Sequence, residues 1–169
     1  TTSILLVGPS GVGKTTLVRE LVYQKAELGF DREVIETTAA RMIKELTGNR
    51  GWQDNIMHLI KELRESNAIL YVRNLRELFE VGQYVGNEVS VADFLQPFLA
   101  RGEITLLGES TETEKSQIEL RSPSYLGAFH LLNLVEPKGK RLEKIILDRV
   151  STTARQHEVS VTKEAIHEI

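Results

Sequence analysis

The sequence contains no cysteine and no long hydrophobic run. Without cysteine the chain has no disulfide, no thiolate metal ligand and no cysteine nucleophile, which suits a reducing compartment such as the cytoplasm. No apolar run approaches the roughly 18 residues that a membrane-spanning helix needs, and no signal peptide is visible. The net charge of −3 gives no overall basic field to recruit nucleic acid. We expect a cytoplasmic protein with no membrane or nucleic-acid partner.

The chain has 169 residues, the usual length of one domain. Its 41% hydrophobic and 27% charged residues are typical of a globular protein. The first residue is Thr1 rather than methionine, and a strand pattern starts almost at once. The last residues, Thr162 to Ile169, have a helical pattern. We therefore expect the chain to be a piece of a longer protein.

Short apolar runs alternate with helical patterns along most of the chain. The helical patterns at Thr15–Leu28, Gln53–Arg64 and Ser90–Leu99 each place apolar side chains on one stripe, with Gly29 as the expected end of the first and Ser90 as the cap of the third. This alternation predicts an α/β fold, a five-stranded parallel sheet sandwiched by helices. The predicted strands are Ser3–Val7, Glu33–Glu36, Ala68–Val72, Ile104–Leu107 and His130–Val135.

The pattern changes after Pro137. Apolar residues over Leu142–Val150 predict an amphipathic helix, a linker follows at His157–Val161, and another helix is expected to start at Thr162. We therefore predict a large α/β subdomain at residues 1–136 and the start of a small helical subdomain at residues 137–169.

Residues Gly8 to Thr15 match the pattern G-x-x-x-x-G-K-[ST] between a predicted strand and a predicted helix. Its glycines let backbone N–H groups turn towards phosphate oxygens, and the helix N-terminus adds a partial positive charge. Lys14 is expected to reach the β- and γ-phosphates, and the Thr15 hydroxyl to ligate Mg²⁺. Pro9 and Val12 shape the loop. The predicted phosphate-loop contacts are Gly8, Pro9, Ser10, Gly11, Val12, Gly13, Lys14, Thr15 and Thr16.

Hydrolysis of a triphosphate also needs a carboxylate for the metal and a group that activates water, usually at the end of a neighbouring strand. Arg73 and Asn74 stand at the end of the Ala68–Val72 run. Asn74 can orient a water molecule but cannot take its proton. Arg73 near Lys14 would place two cations together, at a cost of about 4 kcal/mol for a separation of ~4 Å. Arg73 therefore either points away or contacts phosphate in place of the metal.

These segments together resemble the ATPase domains of the AAA+ superfamily, and within it the first ATPase domain of Clp-type unfoldases and disaggregases. Leu5–Thr15 is similar to the Walker A segment, and Ile69–Leu75 falls on the Walker B segment, which usually ends in Asp-Glu-Leu. Phe94–Ile104 is similar to the family's helix and Ala-Arg-Gly-Glu sequence before the fourth strand. Leu107–Thr111 matches the end of the sensor 1 strand, and Val135–Pro137 the hinge into the helical lid.

The resemblance implies a P-loop NTPase fold that binds ATP or ADP with Mg²⁺, in a ring with other copies or other ATPase domains. It also implies a sensor role near the γ-phosphate for Ser110 or Thr111, and Thr111 is added to the predicted nucleotide contacts. The alternative is that these residues cap the next helix, with Glu114 completing a capping box with Thr111.

The sequence departs from the family at three functional positions. Arg73 and Asn74 replace both Walker B carboxylates, and Leu126–Phe129 replaces the Glu-Arg-Arg-Phe string that carries the arginine finger. Asn49–Gly51, followed by Trp52, replaces the Tyr-Arg-Gly context of the pore loop. Trp52 is either a pore-facing substrate contact or an aromatic side chain that packs on the domain.

We therefore predict a nucleotide-binding AAA+ module of a larger Clp-like chaperone protein, weak or inactive in hydrolysis and acting in assembly or regulation. No catalytic residue is assigned beyond a water-orienting role for Asn74. One alternative is an active ATPase in which Glu36, Glu77 or Glu109 substitutes for the missing carboxylates. Another is a nucleotide kinase, since Gly8–Lys14 also resembles the loop of guanylate kinases. A structural domain with an empty loop is the last alternative.

Overall fold

The computed structural model describes residues 2–46 and 51–162, without the side chains of residues 44–46. Two compact units divide the chain, Thr1–Leu134 and Val135–Ile169. The interpretation of these units as a large subdomain and the start of a lid stays a prediction. Residues 49 and 50, compared above with the pore loop, lie outside the described residues, as does the helix expected beyond Thr162.

The first unit contains the five-stranded parallel sheet that the sequence predicts. Across the sheet the strands follow in the order second, third, fourth, first and fifth, so the first strand lies between the fourth and the fifth. Since all strands are parallel, their carboxyl ends meet at one edge of the sheet, where a ligand site of an open α/β sheet forms. The strands are β1 Ser3–Val7, β2 Val34–Thr37, β3 Ile69–Val72, β4 Thr105–Ser110 and β5 Phe129–Asn133.

Among the described residues, five α-helices belong to the first unit and one to the second. The helices predicted within the described residues are present, and the sequence pattern did not reveal the one at Ala39–Leu46. No helix in the described part of the chain is long and apolar enough to cross a membrane. The helices are α1 Lys14–Tyr23, α2 Ala39–Leu46, α3 Trp52–Ser66, α4 Val91–Ala100, α5 Glu112–Arg121 and α6 Lys140–Gln156.

The first helix ends earlier than the sequence predicts, at Tyr23 rather than Leu28. A separate helical turn follows, and Gly29 closes it at a φ of 64°. The N–H of Phe30 donates to the Lys25 carbonyl and the N–H of Gly29 to the Ala26 carbonyl, the bonding pattern of a Schellman motif. Gly29 therefore ends the segment as expected, but the segment consists of two pieces.

Two hydrophobic clusters cover the two faces of the sheet. Alternate residues of β1 divide between them, since Leu5 and Val7 join the larger cluster with α3 and α4. Leu6 joins the smaller cluster, which also contains Val18 of α1. Side chains at alternate positions of a strand face opposite sides, so the face on which each strand-end residue lies follows from its position. That parity decides which polar side chains meet at α1.

Candidate nucleotide-binding site

The loop from Gly8 to Gly13 connects β1 to α1 at the carboxyl edge of the sheet. Gly11 and Gly13 have φ values of 81° and 102°, which glycine adopts without the penalty that a Cβ brings. Gly13 is the N-cap of α1 and gives no side-chain cap, and the first turn of α1 has no acidic residue. The first N–H groups of α1 are therefore left for an anion, with the helix dipole favouring negative charge.

The start of the loop is fixed by backbone contacts from two directions. The N–H of Gly8 donates to the Ser110 carbonyl at 3.1 Å. On the other side, a Cβ at Gly8 would lie 2.5 Å from the carbonyl oxygen of Leu134. Only glycine fits between these two segments without a shift of the backbone.

Lys14 reaches back across this loop. Its Nζ donates to the carbonyl oxygens of Gly8 at 2.7 Å and Pro9 at 2.9 Å. The ammonium group therefore lies over the first residues of the loop, within the segment that the sequence assigns to phosphate.

The hydroxyl of Thr15 donates to Oε2 of Glu109 on β4, at 3.0 Å. The hydroxyl of Tyr71 on β3 donates to Oε1 of the same carboxylate. Glu109 and Tyr71 are both buried, with 5% and 2% of their surface exposed. Burial, and then the hydrogen bond to Glu109, raise the pKa of Tyr71 well above its usual range, which keeps the phenol protonated and donating. Thr15, Glu109 and Tyr71 therefore form one continuous hydrogen-bonded chain.

The two residues after β3 point to different partners. Arg73 forms a salt bridge with Glu36 on β2. Asn74 donates from Nδ2 to Glu77 at 3.1 Å, while its buried Oδ1 has no hydrogen-bond partner among the described residues. Of the three carboxylates proposed as substitutes, Glu36 and Glu77 are therefore engaged with Arg73 and Asn74, and Glu109 alone of these three bonds to the helix that follows the loop. The water-orienting role of Asn74 stays a prediction.

Thr111 caps α5 in the described structure. Its hydroxyl accepts from the Glu114 N–H, and the Glu114 carboxylate accepts from the Thr111 N–H, so the capping box expected as the alternative is present. The Oγ of Ser110 is buried and has no hydrogen-bond partner among the described residues. A sensor role for either residue stays a prediction.

Trp52 is buried in the hydrophobic core. It is 6% exposed and meets Phe94 edge-on, with ring centroids 5.5 Å apart. The structure therefore contradicts the expectation of a pore-facing Trp52 and agrees with the packing alternative, because the large ring fills the core cluster between α3 and α4.

Sequence reasoning did not find the contact between Tyr71 and Glu109. The signal that could have revealed it is the alternation of side chains between the two faces of the sheet. Tyr71 pairs in register with Leu107, and Glu109 lies two residues further along β4, on the same face. The sequence prediction ended β4 at Leu107, two residues before Glu109, so it did not show to which side of the sheet Glu109 points.

Comparison with known proteins agrees with this architecture. Residues 4–125 match the family model described as the ATPase family associated with various cellular activities (AAA). The ATP-dependent Clp protease ATP-binding subunit ClpL of Staphylococcus aureus (strain USA300) is 25% identical over 170 aligned residues, which cover 96% of this chain and 24% of ClpL.

Solved structures of Hsp104 share the fold. A closed-state cryo-electron-microscopy reconstruction of Hsp104 with ATPγS and FITC-casein has a TM-score of 0.77 at 18% identity, over 92% of this chain and 27% of that one. The Saccharomyces cerevisiae Hsp104–ADP complex has a TM-score of 0.74 at 18% identity, over 95% of this chain and 23% of that one. The chain spans about a quarter of the length of the relatives it matches. With its family match extending over most of its length, the chain belongs to the AAA family of ATPases.

Proposed function

We propose that this chain is the nucleotide-binding module of a larger Clp-like chaperone protein, and that it holds ATP or ADP with Mg²⁺ while hydrolysing ATP slowly or not at all. The observation that carries the proposal is an intact phosphate loop, with Lys14 lying over it, in a sheet whose third strand is followed by Arg73 and Asn74 and not by a carboxylate.

The loop supports the binding half of the proposal. Gly11 and Gly13 adopt the left-handed conformations that expose backbone N–H groups, and α1 starts without a side-chain cap. Lys14 already lies over the loop, where a phosphate would exchange its carbonyl partners for phosphate oxygens. The backbone N–H groups of the loop and of α1 carry partial positive charges, and Lys14 carries a full one. Together they favour the binding of a phosphate group.

The donor set beside the loop suits Mg²⁺. The Thr15 hydroxyl and the Glu109 carboxylate are hard oxygen ligands, the kind that Mg²⁺ prefers. When bound there, the metal would neutralise phosphate charge. Thr15 would hold it directly, and the carboxylate would hold it directly or through water.

The strand end after β3 supports the second half of the proposal. An amide cannot accept the proton of an attacking water, whereas a carboxylate can. The segment that carries the arginine finger in the family is the 3₁₀ turn Leu126–Ala128, followed by Phe129, and it contains no arginine. Without these groups we expect this module to act through nucleotide-dependent assembly or regulation in a ring, in the cytoplasm.

One observation favours an active ATPase as a second candidate. Glu109 accepts a hydrogen bond from Thr15, so it could substitute for the Walker B carboxylate that holds the metal. The other Walker B carboxylate, which activates water, has no substitute among the carboxylates considered, because Glu77 is bonded to Asn74. Turnover measurements separate the two candidates.

The test compares the wild-type protein with Lys14→Ala. A fluorescent ADP analogue is titrated in Mg²⁺, and the loss of a charge-assisted hydrogen bond is expected to weaken its affinity by about 10- to 100-fold. ADP at 100 times its dissociation constant is expected to stabilise the wild type by about 2.7 kcal/mol, and the variant far less. Lys61→Ala, which removes an exposed lysine of α3, is the matched control and should bind normally.

Hydrolysis is measured on the same proteins. We expect the wild type and Lys14→Ala to release phosphate from ATP at indistinguishable rates. Turnover that Lys14→Ala abolishes would support the second candidate and contradict slow hydrolysis. Absence of any nucleotide-induced stabilisation in the wild type would contradict the binding half of the proposal and support a structural domain with an empty loop.

A further inference from the structure

We propose that Glu109, from β4, supplies the carboxylate that holds the nucleotide's Mg²⁺ against Thr15. The residue after β3 cannot fill this role, because it is Arg73. This inference rests on the proposed nucleotide binding and assigns a metal-holding residue within that site. It carries the role from one strand to the neighbouring strand of the sheet.

The surroundings of Glu109 are those of a carboxylate that lacks a cation. The residue is buried, and both of its hydrogen bonds come from hydroxyl groups, those of Thr15 and Tyr71. None of the ion pairs found among the described residues includes it. Burial of an unpaired charge is costly, and proteins offset it with a counter-charge or a metal ion. A divalent cation at Thr15 would provide that charge.

The sheet places this carboxylate at the phosphate loop. Glu109 pairs in register with Leu6, and the next pair is Val7 with Ser110, directly before the loop begins. Leu107, two residues earlier on the same face of β4, packs in the cluster that contains Val18 of α1. Glu109 is therefore directed to the side of the sheet that α1 covers, and the Thr15 hydroxyl lies 3.0 Å from its Oε2.

Tyr71 is a positioning residue for this carboxylate. Its hydroxyl donates to Oε1 and so leaves Oε2 directed at Thr15. The ring packs in the same cluster as Leu6 and Leu107, which fixes the hydroxyl in place. Tyr71 thus orients Glu109.

The other two candidate carboxylates are occupied. Glu36 forms a salt bridge with Arg73, and both side chains are partly exposed. Glu77 accepts from the amide of Asn74. These two residues are therefore matched controls, because each is a glutamate near the same sheet edge that does not contact Thr15.

The experiment measures how much Mg²⁺ strengthens nucleotide binding. The fluorescent ADP analogue is titrated into wild type, Glu109→Gln, Glu36→Gln and Glu77→Gln, each in MgCl₂ and in EDTA. Loss of a ligand or of its orienting partner lowers metal affinity by about 10- to 100-fold. We expect Mg²⁺ to increase the affinity of Glu109→Gln for the analogue at least about tenfold less than it increases that of the wild type. The affinity in EDTA should be the same in both proteins. Glu36→Gln and Glu77→Gln should retain the full gain.

Two further measurements make the result independent of stability. Binding of Mn²⁺ in the presence of ADP, counted by electron paramagnetic resonance, should weaken in Glu109→Gln by a similar factor. Tyr71→Phe should weaken Mn²⁺ binding less than Glu109→Gln, and again without changing affinity in EDTA. Circular dichroism confirms folding, and if Glu109→Gln does not fold, Glu109→Asp, which withdraws the carboxylate by one methylene, carries the same test.

The outcomes separate this inference from the proposed function. If the wild type binds ADP and Glu109→Gln keeps the whole gain from Mg²⁺, the role of Glu109 is overturned and nucleotide binding stands. If Glu36→Gln or Glu77→Gln loses the gain instead, the role belongs to that residue and the inference fails. If the wild type binds no ADP in either buffer, the proposed function fails, and the inference falls with it.

Discussion

Arg73 at the end of β3 pairs with Glu36 on the adjacent strand β2, with 46% and 41% of the two side chains exposed. The sequence left two possibilities for Arg73, to point away from the phosphate loop or to contact phosphate in place of the metal. The structure shows it directed at a carboxylate on the neighbouring strand. The pair is too exposed to contribute more than about 1 kcal/mol to the free energy of unfolding.

The first prediction follows from this pair. Arg73→Ala should lower the free energy of unfolding by less than about 1 kcal/mol and leave ADP affinity unchanged, as measured by urea denaturation and nucleotide titration. Glu36→Gln should have the same small effect, and a double-mutant cycle should give a coupling of about 0.2–1 kcal/mol. A loss of ADP affinity in Arg73→Ala alone would mean that Arg73 contacts phosphate.

A second prediction concerns Gly8. The Cβ of Gly8→Ala would lie 2.5 Å from the Leu134 carbonyl oxygen, so the backbone must shift at the start of the loop. We expect a loss of about 1–3 kcal/mol in the free energy of unfolding, together with weakened ADP binding. Gly127→Ala is the matched control, since its Cβ would meet no atom within 4 Å. Equal stabilities for the two variants would show that the contact with Leu134 yields easily.

Thr111 gives a third prediction, which separates capping from nucleotide sensing. Thr111→Ala removes one bond of the α5 capping box and should cost about 1 kcal/mol of stability. Because its hydroxyl already bonds Glu114 twice, we expect ADP and ATP affinities to stay unchanged. Ser90→Ala removes the corresponding cap of α4 and should have a similar cost. A selective loss of ATP over ADP affinity in Thr111→Ala would instead establish the sensor role.

Much of the fold could be predicted because the apolar periods are strong. The run at Ser3–Val7 was correct to the residue, since the strand is buried. The helix after the glycine-rich turn begins at Lys14, one residue before the predicted start at Thr15. Ser90 was correctly identified as a cap because its capping box with Asp93 is a local pattern. These features depend on neighbours within a few residues, and such neighbours are visible in a sequence.

The remaining features depend on partners far along the chain. Glu109 lay beyond the predicted end of β4 because a buried carboxylate breaks the apolar period that marks a strand, and its partners Thr15 and Tyr71 are 94 and 38 positions away. The short helix α2 and the 3₁₀ turn Leu75–Phe79 were also missed. The 3₁₀ turn buries Leu75, Leu78 and Phe79 in a spacing that five residues are too few to reveal.

A fourth prediction tests the proposed absence of a water-activating carboxylate after β3. Asn74→Glu places a carboxylate where the family has one, and a general base contributes about 10²- to 10⁴-fold to a rate. We expect phosphate release from ATP to rise at least about tenfold above the wild type, with dependence on Lys14. Asn74→Gln, which has the same length and no charge, is the control and should stay at the wild-type rate. An unchanged rate in Asn74→Glu would show that a carboxylate at this position is not sufficient for hydrolysis.

The last prediction concerns two buried tyrosines at alkaline pH. Burial raises the pKa of Tyr125 well above the ordinary value of 10.0, with Asp93 adding to the shift, and burial and Glu109 do the same for Tyr71. The folded state therefore holds protons that the unfolded state releases. The free energy of unfolding is therefore independent of these two groups below about pH 10, and it falls as pH rises from there through the folded-state pKa values, at up to about 1.4 kcal/mol per pH unit for each tyrosine.

Tyr125→Phe isolates one of these groups. Tyr125 packs on Phe79 and Phe129, contacts that a phenylalanine ring can keep, while its hydroxyl has no hydrogen-bond partner among the described residues. At neutral pH we expect the variant to gain about 1 kcal/mol, since the buried hydroxyl pays for desolvation without a bond. Urea denaturation between pH 9 and 12 should then show that the free energy of unfolding falls less steeply with pH in the variant. The difference in slope should correspond to about one proton. Lysine titration is common to both proteins and cancels in the difference, so parallel curves would mean that Tyr125 ionises in the folded state as readily as in the unfolded one.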